Sequence, residues 1–248
     1  MESIFTKEMQ ADLLEVDISF KKSLWTWWEE ISVYVPAAQQ DLSFKLLPAM
    51  VIKAYHYSGL ERDLALQMAN MFKTIYFASK IHVLIGDDEE GQQHNQELQF
   101  SILIGDYIFG RVLKLLLETH TDMLLHLFAA MICQINEGLI VKYKSAADLD
   151  EVLAQTRAPF YHYAFLSAAK IAGMGPADAE VYGQIGHNIG MALELLIIDQ
   201  GAEDGHEYLE KAQQLSATMD HEDMPGLAEL DELIRGLRDN IGGGVDGL

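Results

Sequence analysis

Three kinds of residue in this sequence could do chemistry, and their spacing decides how much. The first kind is carboxylate. Asp87-Asp88-Glu89-Glu90 stand consecutively a few residues after His82, and Asp199 stands four residues before Glu203. Carboxylates hold a hard divalent cation when two of them share a face, which on a helix means a spacing of three or four. Consecutive acids splay round a helix or sit in a loop, so 87–90 reads as a solvated acidic loop, with a weak metal site as the other reading. Asp199 and Glu203 have the spacing to share a face, which leaves a remnant cation site open. The second kind is imidazole: His82, His94, His120 and His126 show no metal-ligand spacing and are expected as surface or satisfied core histidines. The third is thiol. Cys133 is the only cysteine and lies in the apolar run LLHLFAAMICQI, so no intrachain disulfide forms and a buried structural thiol is expected. No catalytic residue and no metal site is assigned on these grounds.

The elements that must position these groups read as helices. Apolar residues among charges over Ile4–Val35 predict one or two amphipathic helices, with Trp25, Trp27 and Trp28 as core or interface packing and a break marked by Pro36 and the polar Gln39-Gln40-Asp41. Helical stretches follow from Leu42 to Ser58-Gly59 and from Asp63 to Ile85, then a polar loop from Gly86 to Glu97. Ile102–Leu117 is apolar almost all the way round, so it needs cover on more than one side. Asp122–Tyr143, a short helix or turn over Ser145–Leu153, Arg157–Ala172, Ala177–Ile198, His206–Leu215 and Leu227–Leu237 complete about ten helices. Strand alternation never persists. The expectation is an all-α chain: amphipathic helices over 1–41, a helical domain over 42–240, and a disordered glycine-rich tail over 241–248.

Composition narrows the partners. With 248 residues, 50% of them hydrophobic, one sizeable core is the better prior. The net charge of −21, from 38 acids against 17 Lys and Arg, excludes nucleic acid as a partner and disfavours an anionic membrane surface. The N-terminus mixes acids into its apolar residues and is no signal peptide, and no apolar run approaches the roughly 20 residues of a transmembrane segment. A cytoplasmic protein is expected.

Ile102-Leu-Ile-Gly-Asp-Tyr107, followed by its apolar helix, resembles the Leu-Ala-Gly-Asp-Tyr/Phe helix of the trans-polyprenyl diphosphate synthases. The order of segments is similar to that all-α fold over about Leu42 to Leu237. In that family this helix lies at a subunit interface, which here implies Ile104, Tyr107, Ile108, Arg111 and Leu115 as interface residues.

The motifs of the family are then met in altered form. Its Gly-Lys-x-x-Arg-Pro grip on isopentenyl diphosphate becomes Ser43-Phe44-Lys45-Leu46-Leu47-Pro48, with Phe44 for the lysine and Leu47 for the arginine. Its Ala-Ser-x-x-His-Asp-Asp-x-x-Asp becomes Ala78-Ser79-Lys80-Ile81-His82-Val83-Leu84-Ile85-Gly86-Asp87. Val83 and Leu84 replace the two leading aspartates, Tyr76 replaces an upstream histidine, and Asp87 alone remains. The Lys-Thr dipeptide becomes Arg157-Ala158. Tyr182-Gly183-Gln184-Ile185-Gly186 resembles the family's Tyr-Gly-x-x-Leu-Gly helix, yet the second aspartate motif reads Ile197-Ile198-Asp199. Lys45 and Arg157 are the remaining candidates for diphosphate contact, and Ala78 and Ser79 fall where the family's product-length residues sit.

Ionising an allylic diphosphate takes Mg²⁺ bridging carboxylates and phosphate oxygens. With both aspartate motifs degenerate, the chain is not expected to turn over substrate by itself. The pattern is similar to the non-catalytic small subunit of two-component synthases, the heptaprenyl diphosphate synthase component 1 type. That resemblance implies a catalytic polyprenyl diphosphate synthase subunit as partner, in a heterodimer or heterotetramer. Mg²⁺ would be held by that partner, no cofactor by this chain, and the product would be the isoprenoid tail of a quinone such as menaquinone. A divergent protein binding an isoprenoid or prenyl diphosphate, and a stand-alone all-α regulatory protein, remain as alternatives.

Overall fold

The computed structural model of the chain describes residues 6–84, 96–144, 148–198, 202–220 and 224–242. Among them there is no strand. The helices are α1 (Lys7–Ser23), α2 (Trp28–Ile31), α3 (Val35–Gln39), α4 (Ser43–Tyr57), α5 (Arg62–Leu84), α6 (Gln96–Glu118), α7 (Leu125–Lys144), α8 (Leu149–Thr156), α9 (Ala158–Ala172), α10 (Pro176–Ile197), α11 (Ala202–Ser216) and α12 (Leu227–Gly242). The all-α reading stands, and one hydrophobic core runs from Met9 to Leu237.

Local chemistry sets the ends. The Thr6 hydroxyl accepts the Met9 N–H at 3.2 Å, while Glu8 opens α1 and Lys21 and Lys22 close it, the charge order that suits the helix dipole. Gly173, at φ 79°, ends α9 in the left-handed conformation that costs glycine least, and Pro176 opens α10. Of the break expected at Pro36 and Gln39-Gln40-Asp41, the polar part holds, since α3 ends at Gln39 and α4 begins at Ser43, while Pro36 itself sits in the first turn of α3, where the missing N–H has no intrahelical acceptor to lose. The tryptophans divide. Trp28 packs edge-on to Phe20, whereas Trp25 and Trp27 are exposed, and Lys21 Nζ lies 5.6 Å from the Trp25 ring.

The centre is built from α4, α5, α9 and α10. Gly186 and Gly190 allow α9 to lie directly on α10: a methyl group at either would come within 2.6 Å of the Phe165 ring or 2.5 Å of the Tyr161 ring. The buried phenols are satisfied, Tyr55 by Ser167 Oγ and Tyr182 by the Ala54 carbonyl, each at 2.8 Å, which removes the cost of an unpaired hydroxyl in the core.

Two expectations change on the outer side of the molecule. The stretch Asp122–Lys144 is helical for 23 residues with a mean hydropathy of 1.6 over its most apolar window, so one segment is long and apolar enough to cross a membrane by length and composition. Only a third of that window is buried in the chain. Cys133, expected in the core, is exposed on the same helix. An apolar run fixes which residues join a helix; it does not say which side the rest of the chain covers.

Candidate functional site

A cluster of charge lies where α5, α9 and the turn before α4 meet. One carboxylate oxygen, Asp41 Oδ2, accepts from Lys80 Nζ at 2.6 Å, from the Tyr76 hydroxyl at 2.7 Å and from Arg157 Nη2 at 3.0 Å. The other oxygen, Oδ1, accepts the Ser43 N–H at 3.1 Å. The Arg157 guanidinium also lies 5.1 Å from the Tyr76 ring, which Phe160 meets edge-on. Burial raises the Asp41 pKa, but the charges and hydrogen bonds of Arg157 and Lys80 outweigh it and hold the carboxyl below its ordinary value. Asp41 is therefore an anion at neutral pH, and both cations are ion-paired to it within the chain.

Deeper in, Glu194 is 2% exposed and accepts from the Tyr161 hydroxyl at 2.8 Å. Burial pushes its pKa up, with Arg157 and Ser43 pulling the other way. Beside Arg157 lies a cavity of about 50 Å³ lined by Tyr76, Ser79, Lys80, Val83, Leu139, Lys142, Thr156, Arg157 and Phe160. Ordinary small-molecule sites are several times larger, at ~300 Å³ and above.

The expected site residues fall into three groups. Ser79, Val83 and Arg157 share that cavity, and Ala78, next to Ser79, is fully buried. Lys45 does not join them. It is exposed, and its charge is felt at Lys73. Alternate residues at a helix start face different ways, which its place in the motif could not reveal. Phe44 and Leu47, in the places of the family's two grip cations, are core: Phe44 packs on Phe20 and Phe77 at 5.9 Å each, under Lys73 Nζ at 4.2 Å. His82 is aimed elsewhere. Its ring stacks on Phe109 at 5.8 Å and 13° and fits against Gly105, where a methyl group would come 2.3 Å from Nε2. Burial lowers its pKa, with Asp106 opposing.

The described residues at the two degenerate motifs do not suit a hard divalent cation. They comprise His82 and Val83, with Leu84 described only as the last residue of α5, at the first, and Ile197 and Ile198 at the second. None carries a carboxylate. Asp87 and Asp199 lie outside the described residues. Among the described residues no three His, Cys, Asp or Glu side chains converge.

Lys80, Asp41, Tyr161 and Glu194 are the residues that sequence reasoning missed. Lys80 could have been found as a cation on the same α5 turn as Tyr76, but Asp41 carries no such signal.

The interface residues implied by the resemblance divide as well. Ile104 and Ile108 are 4% and 0% exposed and, with Val112 and Leu116, form the stripe of α6 that faces the chain's own core. Tyr107 and Leu115 are half-buried. Arg111 is half-buried too and works internally, donating Nε–H to the Ser23 carbonyl at 2.8 Å. The large apolar side chains that reach solvent here are Phe100, Ile102, Leu103, Leu113 and Leu117 on α6, Met123 ahead of α7, and Leu125, Ile140 and Tyr143 on α7. Exposed large apolar side chains in this number are more than the scattered few that a folded chain ordinarily leaves in water.

No family model matches the sequence, and no curated protein matches it by sequence. Solved structures do match. A decaprenyl diphosphate synthase from Rhodobacter capsulatus superposes with a TM-score of 0.73 at 14% identity, over 95% of this chain and 98% of that one. The small subunit of geranyl diphosphate synthase from Antirrhinum majus gives 0.68 at 19% identity, over 95% and 100%. A deletion mutant of the heterotetrameric geranyl pyrophosphate synthase of mint gives 0.68 at 15%, over 93% and 99%. At these identities the likeness establishes the fold: this is the all-α isoprenyl diphosphate synthase fold over nearly the whole chain.

Proposed function

We propose that the chain is a non-catalytic accessory subunit of a heteromeric long-chain polyprenyl diphosphate synthase of the heptaprenyl type. It would act in the cytoplasm on the side chain of a quinone such as menaquinone. The observation that carries this reading is the pairing of a kept fold with apolar or self-neutralised side chains at the positions that would carry the chemistry. Phe44, Leu47 and Val83 stand where cations and a carboxylate would be needed, and Arg157 is spent on Asp41. The exposed apolar face of α6 and α7 supports association with a second subunit, and two of the solved structures with this fold are a small subunit and a heterotetrameric synthase.

In this reading the catalytic subunit carries both aspartate motifs and the Mg²⁺, in a heterodimer or heterotetramer. This chain stabilises it, and the α5 end around Ala78 and Ser79 helps shape the space that sets product length. The test is to purify the tagged chain from its native host and identify what accompanies it. A near-stoichiometric polyprenyl synthase, with Mg²⁺-dependent elongation only in the pair, is the expected result. Mg²⁺-dependent turnover by the isolated chain would overturn the reading in favour of a divergent enzyme. Recovery of the chain alone would favour a stand-alone isoprenoid-binding or regulatory protein.

A further inference from the structure

The charge cluster around Asp41 carries an inference that does not depend on which partner covers α6 and α7. Three donors from two elements, Lys80 and Tyr76 on α5 and Arg157 at the start of α9, converge on the single oxygen Asp41 Oδ2. Convergence of two cations and a phenol on one point is the geometry of an oxyanion site. Asp41 lies outside both elements, in the turn between α3 and α4, so the donors and their acceptor come from separate parts of the chain. The cradle also has donor capacity to spare. Arg157 Nη1 is buried without a hydrogen-bond partner, and the adjoining cavity adds Lys142 and Ser79. A lone carboxylate leaves that capacity unused, whereas a phosphate-type anion, with more oxygens, would engage it. This concentration of positive charge occurs in a chain with a net charge of −21, where an open cation pocket would stand out to any free anion.

We propose that Asp41 is a built-in anion that occupies this cradle in place of an external one, so that the native chain is closed to phosphate and diphosphate and releasing Asp41 opens the site. The contact is self-occlusion: the carboxylate fills the anion position, its neighbour Ser43 fixes it through the backbone N–H, and the N-terminal segment is thereby latched to α5 and α9. A small anion competing from solution faces a carboxylate already held at an effective concentration set by the chain itself. Free phosphate therefore loses. With the charge removed from residue 41, Lys80 and Arg157 lose their built-in counter-ion and an external anion competes only with a neutral amide, so its binding gains the charge-assisted hydrogen bonds.

The experiment uses the full-length chain, its Asp41→Asn variant and inorganic diphosphate as probe, without divalent metal. Asparagine keeps the size of the side chain and removes its charge. Isothermal titration is expected to show no saturable binding to the native chain and one site on Asp41→Asn, tighter by at least ~100-fold. Adding Arg157→Gln to Asp41→Asn should abolish the gained site. Because Asp41→Asn loosens a latch, thermal melting in diphosphate against an equal ionic strength of chloride gives a second readout. Diphosphate should raise the melting temperature of the variant and leave that of the native chain unchanged. If Asp41→Asn does not fold, Asp41→Ser is refolded with and without diphosphate, and rescue by the anion is expected. Saturable binding of diphosphate to the native chain would overturn the proposal. So would a folded Asp41→Asn that binds none, or a refolding variant that diphosphate does not help. Diphosphate binding to the native chain would also take the paired Arg157 from the support of the accessory-subunit reading, but whether a partner exists is read separately, by co-purification.

Discussion

The cation cradle and the outer face of α6 and α7 are opposite answers to one problem. Each concentrates a group that a solitary chain leaves unmatched only at a cost, positive charge in one and apolar area in the other. In the cradle the match comes from within: Asp41 takes Lys80, Tyr76 and Arg157 onto one oxygen. On the outer face none of the described residues covers Leu103, Leu117 or Met123, which are 64%, 65% and 67% exposed. A side chain can neutralise a charge at short range, but covering a helix face takes another surface. The difference teaches where to look for each role: substitutions in the cradle should cost stability, and substitutions on the face should cost association.

The largest effect is expected at Phe44. Phe44→Lys restores a cation where the resembling family carries one, but here it would enter a cluster with Phe20 and Phe77 beside Lys73. Losing a buried ring costs about 3–5 kcal/mol, and the like charge adds to it. Urea unfolding should show at least that loss, with no gain of diphosphate binding. A mild effect would mean that this region can still open for a ligand.

Next comes Asp41→Ala. Removing one partner of a partly buried ion pair leaves the other charges unpaired, which costs about 3–5 kcal/mol when burial is complete and less here. Thermal melting should fall by several degrees, while assembly with a partner persists at temperatures where the variant is folded. Lost assembly in a stably folded variant would erase the distinction between the two regions.

The third effect is a pH dependence inside the α9–α10 layer. Burial, assisted by the neighbouring His162, lowers the His187 pKa from 6.5 to about 4. Between those values the unfolded chain binds the proton and the folded chain does not, so stability rises with pH across the window and is lost on acidification. Integrated, the loss is up to roughly 3 kcal/mol. His162 and His82, also lowered mainly by burial, act in the same direction. Glu194, raised chiefly by burial, acts oppositely: its contribution is present below its unfolded value and lost as pH rises through its folded one. Comparing His187→Gln with the native chain isolates the histidine, and the variant should show a flatter stability profile between pH 4 and 6.5. An unchanged slope would remove His187 as its source.

These regions differ in how visible they were in the sequence. Helical periodicity disclosed the fold because each helix buries its own stripe, as in Ile104, Ile108, Val112 and Leu116 at four-residue spacing. Motif resemblance located Arg157 and the substituted positions around Phe44 and Val83. It could not place Asp41, which lies 39 residues from Lys80 and 116 from Arg157 and belongs to no motif. It also ranked Lys45 with Arg157, although the chain directs Lys45 to solvent. On α6 the excess of apolar residues was plain, but which of them faced inward depends on where α5 packs, a tertiary fact.

That ambiguity makes α6 the place for the smallest and most discriminating perturbation. Leu103 and Ile108 are five residues apart on one helix, the first 64% exposed and the second fully buried. Leu103→Glu and Leu117→Glu place charges on the outer face and remove no internal contact of consequence, so unfolding free energy should stay within ~0.5 kcal/mol of the native value. Ile108→Glu would instead bury an unpaired carboxylate and unfold the chain, which says nothing about association. If the outer face is the subunit contact, the two surface variants should melt like the native chain and yet elute without a partner in size-exclusion chromatography with light scattering. Should both still assemble, the exposed apolar run of α6 is not the contact surface, and α7 with Met123, Leu125 and Ile140 would have to provide it alone.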